Sequence, residues 1–489
     1  MTLTRTGWVI ATALLASAGL AAGAPRARAQ SLQEALSQAY ANNPTLLTAR
    51  AQLRAVDENV PQALAGWRPT VTISSTAGAV DSRNRSTTPN PSFRAPPNAF
   101  QNAQQQESAI TSHNERGLFT NSITITQPVF RGGRTVSSTR RAENQVLAQR
   151  ARLLAIEQQV MSDSVNAYVF VIRDQELLRL NINNEQVLTE QLRATNERFR
   201  VGEITRTDVA QAESRLAGAR SARAQAEGTL QISRATFQQR IGTAPQRLTA
   251  PQPLRPPVGS ALEASQVAAA NNPAVVAALF DEAGARDNID IQMAQLLPQL
   301  SVQSQAFRND NQLTPQTRQT GGQVVASLTV PLYQGGAEYS VIRQARQSAQ
   351  QSRQVVDDQR RIVTQSATAA WEQLQSAKAE VESRRAQIRA SEIALDGVQR
   401  EAIVGSRTTL DVLNAELELL NARTSLVQSL ATVVSQSYVL AASVGRLTAQ
   451  DLGLPVEPYD MRAYYNEVRN RWIGLGDYSN VSGNGSGSR

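Results

Sequence analysis

The sequence predicts a mixed α and β membrane protein made of two similar internal repeats. Two phrases recur at an offset of about 203 residues, since 127–133 is matched by 330–336 and 201–209 by 404–412. A long helical tract connects the two phrases of each copy, and a pair of strand-like segments precedes each tract. Because self-similarity at a fixed spacing marks repeated structural units, each half is expected to fold in the same way.

Residues 1–29 have the pattern of a secretory signal peptide. Arg5 gives a positive start, 8–22 is apolar, and Ala-Arg-Ala at 27–29 fits a cleavage site. A membrane-spanning helix is the weaker interpretation because the apolar core is short. The chain contains no cysteine, which excludes disulfides and an acylated cysteine at a mature N-terminus.

The charge pattern argues against a nucleic-acid partner. Removal of 1–29, which carries three arginines and no acids, lowers the formal net charge from +8 to +5. Acidic and basic residues are interspersed along the predicted helices, as on a solvated helix surface. No nucleic-acid partner is therefore expected.

Alternation of apolar and polar residues predicts four strands of about ten residues. They form hairpins at about 70–128 and 298–332, and the polar loops 81–116 and 308–320 are expected to be exposed and mobile. Ten residues is the length that a tilted strand needs to cross a bilayer. The two hairpins alone also fit a half-buried sheet of a soluble protein, but export and the long helices favour a membrane sheet.

The tracts 133–199 and 337–402 are rich in good helix formers and predict rods of about 100 Å. Apolar residues at seven-residue intervals predict coiled-coil packing. In the first tract these residues are Val146, Leu153, Val160 and Ala167. The segments before the strands and after the second phrase are each about half as long. Two of them placed end to end match one long helix, which predicts a tube with a uniform wall.

The expected domain boundaries follow from these elements. The repeats are predicted at 30–243 and 260–447, separated by a proline-rich linker at 244–259. The tail 448–489 loses periodicity, and its Gly/Ser-rich end, 482–489, is expected to be disordered.

Together these motifs resemble the TolC family of outer-membrane efflux and secretion channels. The resemblance rests on the Leu-x-x-Ala…Asn-Asn-Pro openings, the Pro-Val/Leu-x-x-Gly-Gly junctions and the Val-Gly-x-x-Thr…Asp-Val phrases, and it covers about 31–455. It implies a homotrimer in which each protomer gives four strands to a twelve-stranded transmembrane β-barrel, continued by a coiled-coil helical tunnel in the periplasm. It also implies a periplasmic membrane-fusion adaptor and an inner-membrane pump of the resistance-nodulation-division or ABC type as partners, with outer-membrane lipid around the barrel.

The same resemblance places a periplasmic gate at the second phrases, which are the tips of the helical hairpins. The residues carried over by position are Thr207, Asp208, Arg407, Asp411 and Asn414. Asn414 stands where the family has a second pore acid, and Ala402 stands where it has a tyrosine. Asp411 is therefore the expected gate carboxylate and Arg407 the expected latch, able to reach Asp208 of a neighbouring tip.

Local chemistry gives a second account of the tips. Thr-x-x-Asp at 205–208 and 408–411 matches a capping box, and the preceding glycines suit a left-handed helix end. Capping alone could explain both aspartates. The alternative is a ring of carboxylates at a threefold constriction, where like charges raise the pKa of each acid and hold cations. The residues expected to dock on an adaptor are Val201, Gly202, Val404 and Gly405.

The first phrases are expected to be architectural, at the change from strand to helix. The residues concerned are Pro128, Gly132, Gly133, Pro331, Gly335 and Gly336. These glycines lack the lysine and spacing of a phosphate-binding loop.

No catalytic residues, cofactor or metal site are expected. His113 is the sole histidine and is assigned to a loop, so a nucleophile–histidine pair or a histidine metal cluster is excluded. The sequence therefore predicts a passive outer-membrane duct of an efflux pump or type I secretion system. Two alternatives remain open, a periplasmic coiled-coil adaptor and a structural rod of the cell envelope.

Overall fold

A computed structural model of the chain describes residues 30–89, 107–312 and 316–476. The predicted signal peptide, the middle of the loop 81–116 and the predicted disordered end of the tail lie outside these residues. In the part that is described, no helix combines the length and apolar character needed to cross a membrane.

Ten helices and four strands make up the described chain, with 3₁₀ turns before β1 and β3. The first set comprises α1 (Leu32–Asn42), α2 (Pro44–Asp57), α3 (Asn59–Leu64), β1 (Thr70–Pro89), β2 (Glu107–Arg131), α4 (Arg134–Arg200) and α5 (Arg206–Ile241). The second comprises α6 (Ala261–Asn271), α7 (Pro273–Met293), β3 (Gln299–Asp310), β4 (Arg318–Thr329), α8 (Ala337–Ile403), α9 (Thr409–Ser443) and α10 (Ala463–Val468).

The long helices α4 and α8 are both 67 residues long, as the composition predicts. Each spans about 100 Å at 1.5 Å per residue. The predicted heptad residues of α4 are all buried: Val146, Leu153, Val160 and Ala167. In α9, close to the tip at 404–412, the leucines at spacings of three and four are packed less tightly, because Leu410 and Leu417 stay exposed while Leu413 is buried.

The shorter helices meet end to end beside the long ones. The Asn43 side chain caps α2 and donates from Nδ2 to the Arg240 carbonyl in the last turn of α5, at 2.9 Å. Asn272 caps α7 and donates in the same way to the Ser443 carbonyl at the end of α9, also at 2.9 Å. Each Asn-Asn-Pro phrase thus connects the start of one short helix to the end of another, α2 to α5 in the first half and α7 to α9 in the second.

The four strands form one antiparallel sheet in the order β1-β2-β3-β4. Residues directly opposite each other in neighbouring strands lie on the same face. The register therefore collects the predicted apolar positions onto a single face: Val71, Ile73, Ala77 and Ala79 of β1, Phe119, Ile123 and Ile125 of β2, Leu300, Val302 and Ala306 of β3, and Val324, Ala326 and Leu328 of β4.

The opposite face of the sheet is mainly polar. It carries Thr70, Thr72, Ser74 and Thr76 of β1, Thr120, Ser122, Thr124 and Thr126 of β2, Ser301, Gln303 and Gln305 of β3, and Gln323 and Ser327 of β4. Its apolar members include Val80, Leu118, Phe307 and Val325. Near the helices the sheet thus has one apolar and one polar face across all four strands, whereas the outer end of the apolar face carries Arg308, Asp310 and Arg318.

The first hairpin corrects the prediction of a mobile loop at 81–116. β1 continues to Pro89 and β2 begins at Glu107, so 81–89 and 107–116 are paired strands. Both faces of this extension carry polar residues, such as Asp81 opposite Glu115. The alternation that marks a strand in sequence is therefore missing there. The second loop is also shorter than 308–320, since β3 reaches Asp310 and β4 starts at Arg318.

The tail packs against the first half of the chain. Leu447, Ala449 and Leu454 join the main apolar core with residues of α1, α2 and α4. The Ala449 amide donates to Glu157 Oε1 at 2.8 Å, and the Tyr459 amide donates to Tyr40 Oη at 2.9 Å. The described part of the tail, up to residue 476, is thus an integral layer of the fold.

Candidate functional site

The first tip connects α4 to α5 through a tight helix-ending turn. Gly202 has φ +80°, and its amide donates to the Phe199 carbonyl at 2.9 Å. The Glu203 amide donates to the Arg198 carbonyl, also at 2.9 Å. This pair of bonds is the Schellman ending, which requires a left-handed residue and so favours glycine. The structure confirms the predicted conformation of Gly202.

The second tip repeats this geometry between α8 and α9. Gly405 has φ +81°, its amide donates to the Ala402 carbonyl at 3.2 Å, and the Ser406 amide donates to the Glu401 carbonyl at 3.0 Å. Val201 and Val404, the residues before the two glycines, are each 78% exposed. The expected docking residues are therefore at the surface of the single chain.

Both predicted capping boxes are present. The Asp208 carboxylate accepts from the Thr205 amide at 2.9 Å and from the Thr205 hydroxyl at 2.8 Å. The Asp411 carboxylate accepts from the amide and hydroxyl of Thr408 at the same two distances. Thr207, between the cap and Asp208, is exposed. Within one chain, capping accounts for the position of both aspartates.

These bonds hold the tip aspartates in the ionised form. The bonds from Thr205, and then the charge of Arg198, lower the pKa of Asp208. The bonds from Thr408, and then the charge of Arg407, lower the pKa of Asp411. A lowered pKa adds stability above the unfolded value of about 4 that is lost as the pH falls through the folded value. In the single chain the shift is thus opposite to that expected of a carboxylate ring.

Each tip also contains an arginine–glutamate pair. Arg198 in the last turn of α4 binds Glu203 in the turn, with Nη2 at 2.6 Å from Oε1. In the second tip the order is reversed, because Arg407 in the turn binds Glu401 in the last turn of α8, with Nε at 2.8 Å from Oε2. The partner of Arg407 within the chain is therefore Glu401, and its predicted contact with Asp208 of a neighbouring tip stays a prediction.

Asn414 joins the two tips of one protomer. Its side-chain oxygen accepts from Arg215 Nη2 of α5 at 2.8 Å. Beside it, Leu188 of α4, Leu216 of α5 and Leu413 of α9 form a small apolar cluster. The asparagine that replaces the family's second acid thus has a local role. Sequence reasoning missed this partner because Arg215 lies 199 residues away.

The strand-to-helix junctions lie where the glycine phrases predict. Gly132 and Gly133 separate β2 from α4, and Gly335 and Gly336 precede α8; all four have positive φ. Pro128 lies at a β-bulge within β2, and Pro331 follows the end of β4. The first junction is the tighter of the two. A Cβ on Gly132 would lie 2.7 Å from the Ala294 carbonyl, whereas one on Gly335 would meet no atom within 4 Å.

His113 corrects a sequence assignment, since it belongs to β2 and not to a loop. Its Nδ1 lies 3.3 Å from Asp81 and its Nε2 lies 3.5 Å from Glu115. The ligand atoms of these three exposed residues lie within 4.8 Å of one another, close enough for a metal ion. However, the two carboxylates face different ring nitrogens, and one ion binds only one of them. The cluster therefore fits a polar bridge between β1 and β2 better than a metal site.

Comparison with known proteins places this geometry in a family. The family model for outer membrane efflux proteins matches residues 35–243 and 264–446. Outer membrane efflux protein BepC of Brucella suis biovar 1 is 34% identical over 468 residues, which is 96% of each chain. Outer membrane protein TolC of Vibrio cholerae is 24% identical over 449 residues, covering 90% of this chain and 96% of TolC.

Solved structures share the fold at low identity. The CmeC outer membrane channel of Campylobacter jejuni superposes with a TM-score of 0.71 at 14% identity, covering 90% of this chain and 89% of CmeC. The outer membrane protein VceC of Vibrio cholerae gives 0.68 at 17%, covering 85% and 96%. These findings favour a channel over a periplasmic adaptor or an envelope rod. The chain belongs to the outer membrane efflux protein family, the TolC family, and is a non-enzymatic efflux channel of the outer membrane.

Proposed function

We propose that three copies of this chain form one channel, with a twelve-stranded barrel in the outer membrane and a helical tunnel in the periplasm. The observation that carries this proposal is the two-faced sheet, in which thirteen apolar positions share one face. An apolar face suits contact with lipid, and a polar face suits a water-filled lumen.

The edges of the sheet support assembly from several copies. β1 and β4 are the outer strands of the described sheet, so each carries unpaired backbone groups on one side. An open sheet edge is not tolerated in the hydrocarbon of a bilayer, and closure requires pairing between copies. Three copies give twelve strands, wide enough for an aqueous channel, whereas the interiors of eight-stranded barrels are filled by side chains.

The order of elements supports the proposed repeats at 30–243 and 260–447. Each contains short helices, a hairpin, a 67-residue helix and a helix of 35 or 36 residues, in that order. In a trimer the six hairpin tips surround the periplasmic mouth of the tunnel. The wall has uniform thickness because Asn43 and Asn272 join the shorter helices end to end.

The assembly is tested by gel mobility and conductance together. The protein purified from outer membranes is expected to migrate as a trimer that dissociates only on heating. In planar bilayers it is expected to produce discrete conductance steps. A protein that migrates as a monomer without heating, or that gives no steps at any concentration, would contradict the proposal.

The tips are the proposed gate and docking site. We infer that Thr207, Asp208, Arg407, Asp411 and Asn414 close the tunnel in the resting channel. The exposed Val201–Gly202 and Val404–Gly405 turns dock on a periplasmic membrane-fusion adaptor, which connects the channel to an inner-membrane pump of the resistance-nodulation-division or ABC type. The similarity to BepC, an outer membrane efflux protein, favours efflux over type I secretion as the main function.

Docking is tested by changing both tip glycines to tryptophan. The Gly202→Trp, Gly405→Trp double variant is expected to lose cross-linking to the adaptor and efflux in cells. Gly218→Trp in α5, at a position with open space around it, provides a control outside the turns. Normal adaptor cross-linking in the double variant would refute the docking assignment.

A further inference from the structure

The end of the described tail lies at the base of the sheet. Arg68, two residues before the start of β1, donates from Nη1 to the Arg471 carbonyl at 2.6 Å. The Arg68 guanidinium also lies 4.9 Å from the centre of the Trp472 ring. The chain therefore returns from the helical body to the point where the first strand begins.

The tail is held firmly on its way to this point. Tyr464 Oη donates to Glu58 Oε1 at 2.8 Å, and Arg469 Nη2 donates to Glu143 Oε1 at 3.0 Å. Val468 of α10 is buried. The segment 471–476 follows directly after this held stretch, and within it Arg471 donates to the carbonyls of Ile473 and Gly476, both at 3.2 Å.

This segment exposes large apolar side chains side by side. Trp472 is 66% exposed, Ile473 is 90% exposed and Leu475 is fully exposed. An exposed apolar cluster on a fixed surface indicates a partner, because surfaces facing water rarely keep several such side chains together.

The position of the segment identifies the partner as lipid. The apolar face of β1 begins at Val71, three residues after Arg68 and so within about 10 Å along an extended chain. The headgroup layer on each side of the hydrocarbon core is roughly 5–8 Å thick. Tryptophan is enriched at that depth, where its ring meets acyl chains and its N–H meets water. Trp67, next to Arg68 at the base of β1, is also partly exposed.

We propose that residues 471–476 form an interfacial anchor in the periplasmic leaflet of the outer membrane. Trp472, Ile473 and Leu475 insert among the lipids just below the hydrocarbon core, and Arg68 holds the segment against the base of β1. The proposal rests on the proposed function, because it requires the apolar face of the sheet to face lipid. The anchor would fix the height of the helical body relative to the bilayer, in a chain that contains no cysteine for acylation.

The absence of cysteine allows a clean test by site-specific labelling. Single-cysteine variants Ile473→Cys, Leu475→Cys, Ile73→Cys and Ile403→Cys carry a small environment-sensitive fluorophore in the full-length protein in vesicles. Ile73 lies on the apolar face of β1, and Ile403 lies at the far end of α8 and is 84% exposed. Nitroxide lipids, labelled next to the headgroup, quench fluorophores in the leaflet, and iodide quenches those in water.

The proposal predicts that nitroxide lipids quench the labels at 473, 475 and 73 several-fold more than the label at 403, with iodide showing the reverse order. If iodide quenches 473 and 475 while the lipids quench 73, the anchor is wrong and the membrane sheet stands. If neither quencher reaches 473 and 475, a second copy of the chain covers them, and the lipid assignment is overturned. If the nitroxide lipids quench none of the labels at 73, 473 and 475, the sheet does not face lipid and the proposed function itself fails.

Discussion

The sheet and the tips lie at opposite ends of 67-residue helices, and they expose opposite kinds of side chain. At the sheet, exposed apolar residues are spread over four strands and share one face. At the tips, the exposed surface is dominated by ion pairs and capping residues, with a few apolar residues at the turns. The two ends therefore suit the different surroundings proposed for them, lipid around the sheet and water or a protein partner at the tips.

The apolar face and the tip aspartates differ in whether contacts within the protomer explain them. Among the residues that the structure describes, the side chains of the apolar face belong to no apolar cluster of the protomer, so this face indicates an external partner. The tip aspartates are fully engaged by Thr205 and Thr408, so their presence alone does not demonstrate a gate. What distinguishes the tips is their unequal charge. Arg198 and Glu401 occupy the same position, three residues before the C-cap, with opposite sign.

The largest expected effect comes from placing a charge on one face of the sheet. Ile73→Arg on the apolar face is expected to cost roughly 1–2 kcal/mol in each of the three copies, because a charge there must leave water for lipid between the interface and the midplane. Thr72→Arg, one residue earlier on the polar face, is the matched control and is expected to assemble normally. The yield of heat-modifiable trimer in outer-membrane fractions measures both. Equal yields would remove the distinction between the faces.

The second prediction concerns a carboxylate of the helical body. Asp57 of α2 is buried, and burial raises its pKa to about 7, against the opposing charge of Arg150. A raised acid pKa makes the fold most stable below the unfolded value of about 4 and less stable as the pH rises towards 7. Asp57→Asn is therefore expected to stabilise the protein by about 1–2 kcal/mol at pH 8 and much less at pH 4.

Thermal unfolding of wild type and Asp57→Asn at both pH values provides the measurement. A gain that is the same at pH 4 and pH 8 would show that Asp57 is not the titrating group. The tip aspartates respond with the opposite sign, since their lowered pKa values stabilise the tips above about pH 4. The body and the tips are thus distinguished by their pH dependence.

Two glycines, Gly397 in α8 and Gly405 in the turn after it, test the geometry of the tip. Gly405→Ala forces an alanine into a left-handed conformation and is expected to destabilise the turn by about 1 kcal/mol. Gly397→Ala, two turns earlier in the helix with open space around it, is expected to stabilise by about 0.5–1 kcal/mol. Amide hydrogen exchange at 406–412 reports both changes. If Gly405→Ala and Gly397→Ala change the amide exchange rates at 406–412 in the same direction, the requirement for a left-handed residue at 405 is refuted.

The smallest change in stability, but an informative one, is expected at Arg407. Arg407→Glu places a second acid beside Glu401 and removes the proposed latch. The open fraction of the channel is therefore expected to rise. Loss of Asp411 is expected to act in the same direction. Arg423→Glu, which breaks the exposed pair with Glu392 farther from the tip, is the control. Unchanged single-channel conductance and open fraction in the Arg407 and Asp411 variants would refute the gate assignment.

The sequence predicts the elements that repeat a simple period. The long helices, the apolar and polar alternation of the strands, and the capping boxes at 205–208 and 408–411 all depend on residues close in sequence, and the structure has them. Gly202 and Gly405 adopt the predicted left-handed conformation for the same reason.

The parts that the sequence does not predict depend on distant contacts. The extension 81–89 of β1 pairs polar residues on both faces, so it has no apolar alternation to detect. The tail is held by contacts such as Tyr459 with Tyr40, some 400 residues away, rather than by any periodicity. From sequence alone, Asn414 shows only that an acid is absent, because its hydrogen-bond donor, Arg215, lies on a distant helix. How the tips of different copies meet also depends on residues that belong to neighbouring chains.

The central claim is that the two faces of the sheet separate lipid from a water-filled pore. Cysteine scanning of 70–77 in β1, with a charged, membrane-impermeant thiol reagent added during planar-bilayer recording, tests it most directly, because the chain has no other cysteine. If the polar face lines the pore, modification at the even positions, including Thr72 and Ser74, changes the conductance, whereas modification at the odd positions, including Val71 and Ile73, has no effect. Conductance changes that do not follow this alternation, or that occur at the odd positions alone, would show that the two faces do not separate lipid from the pore.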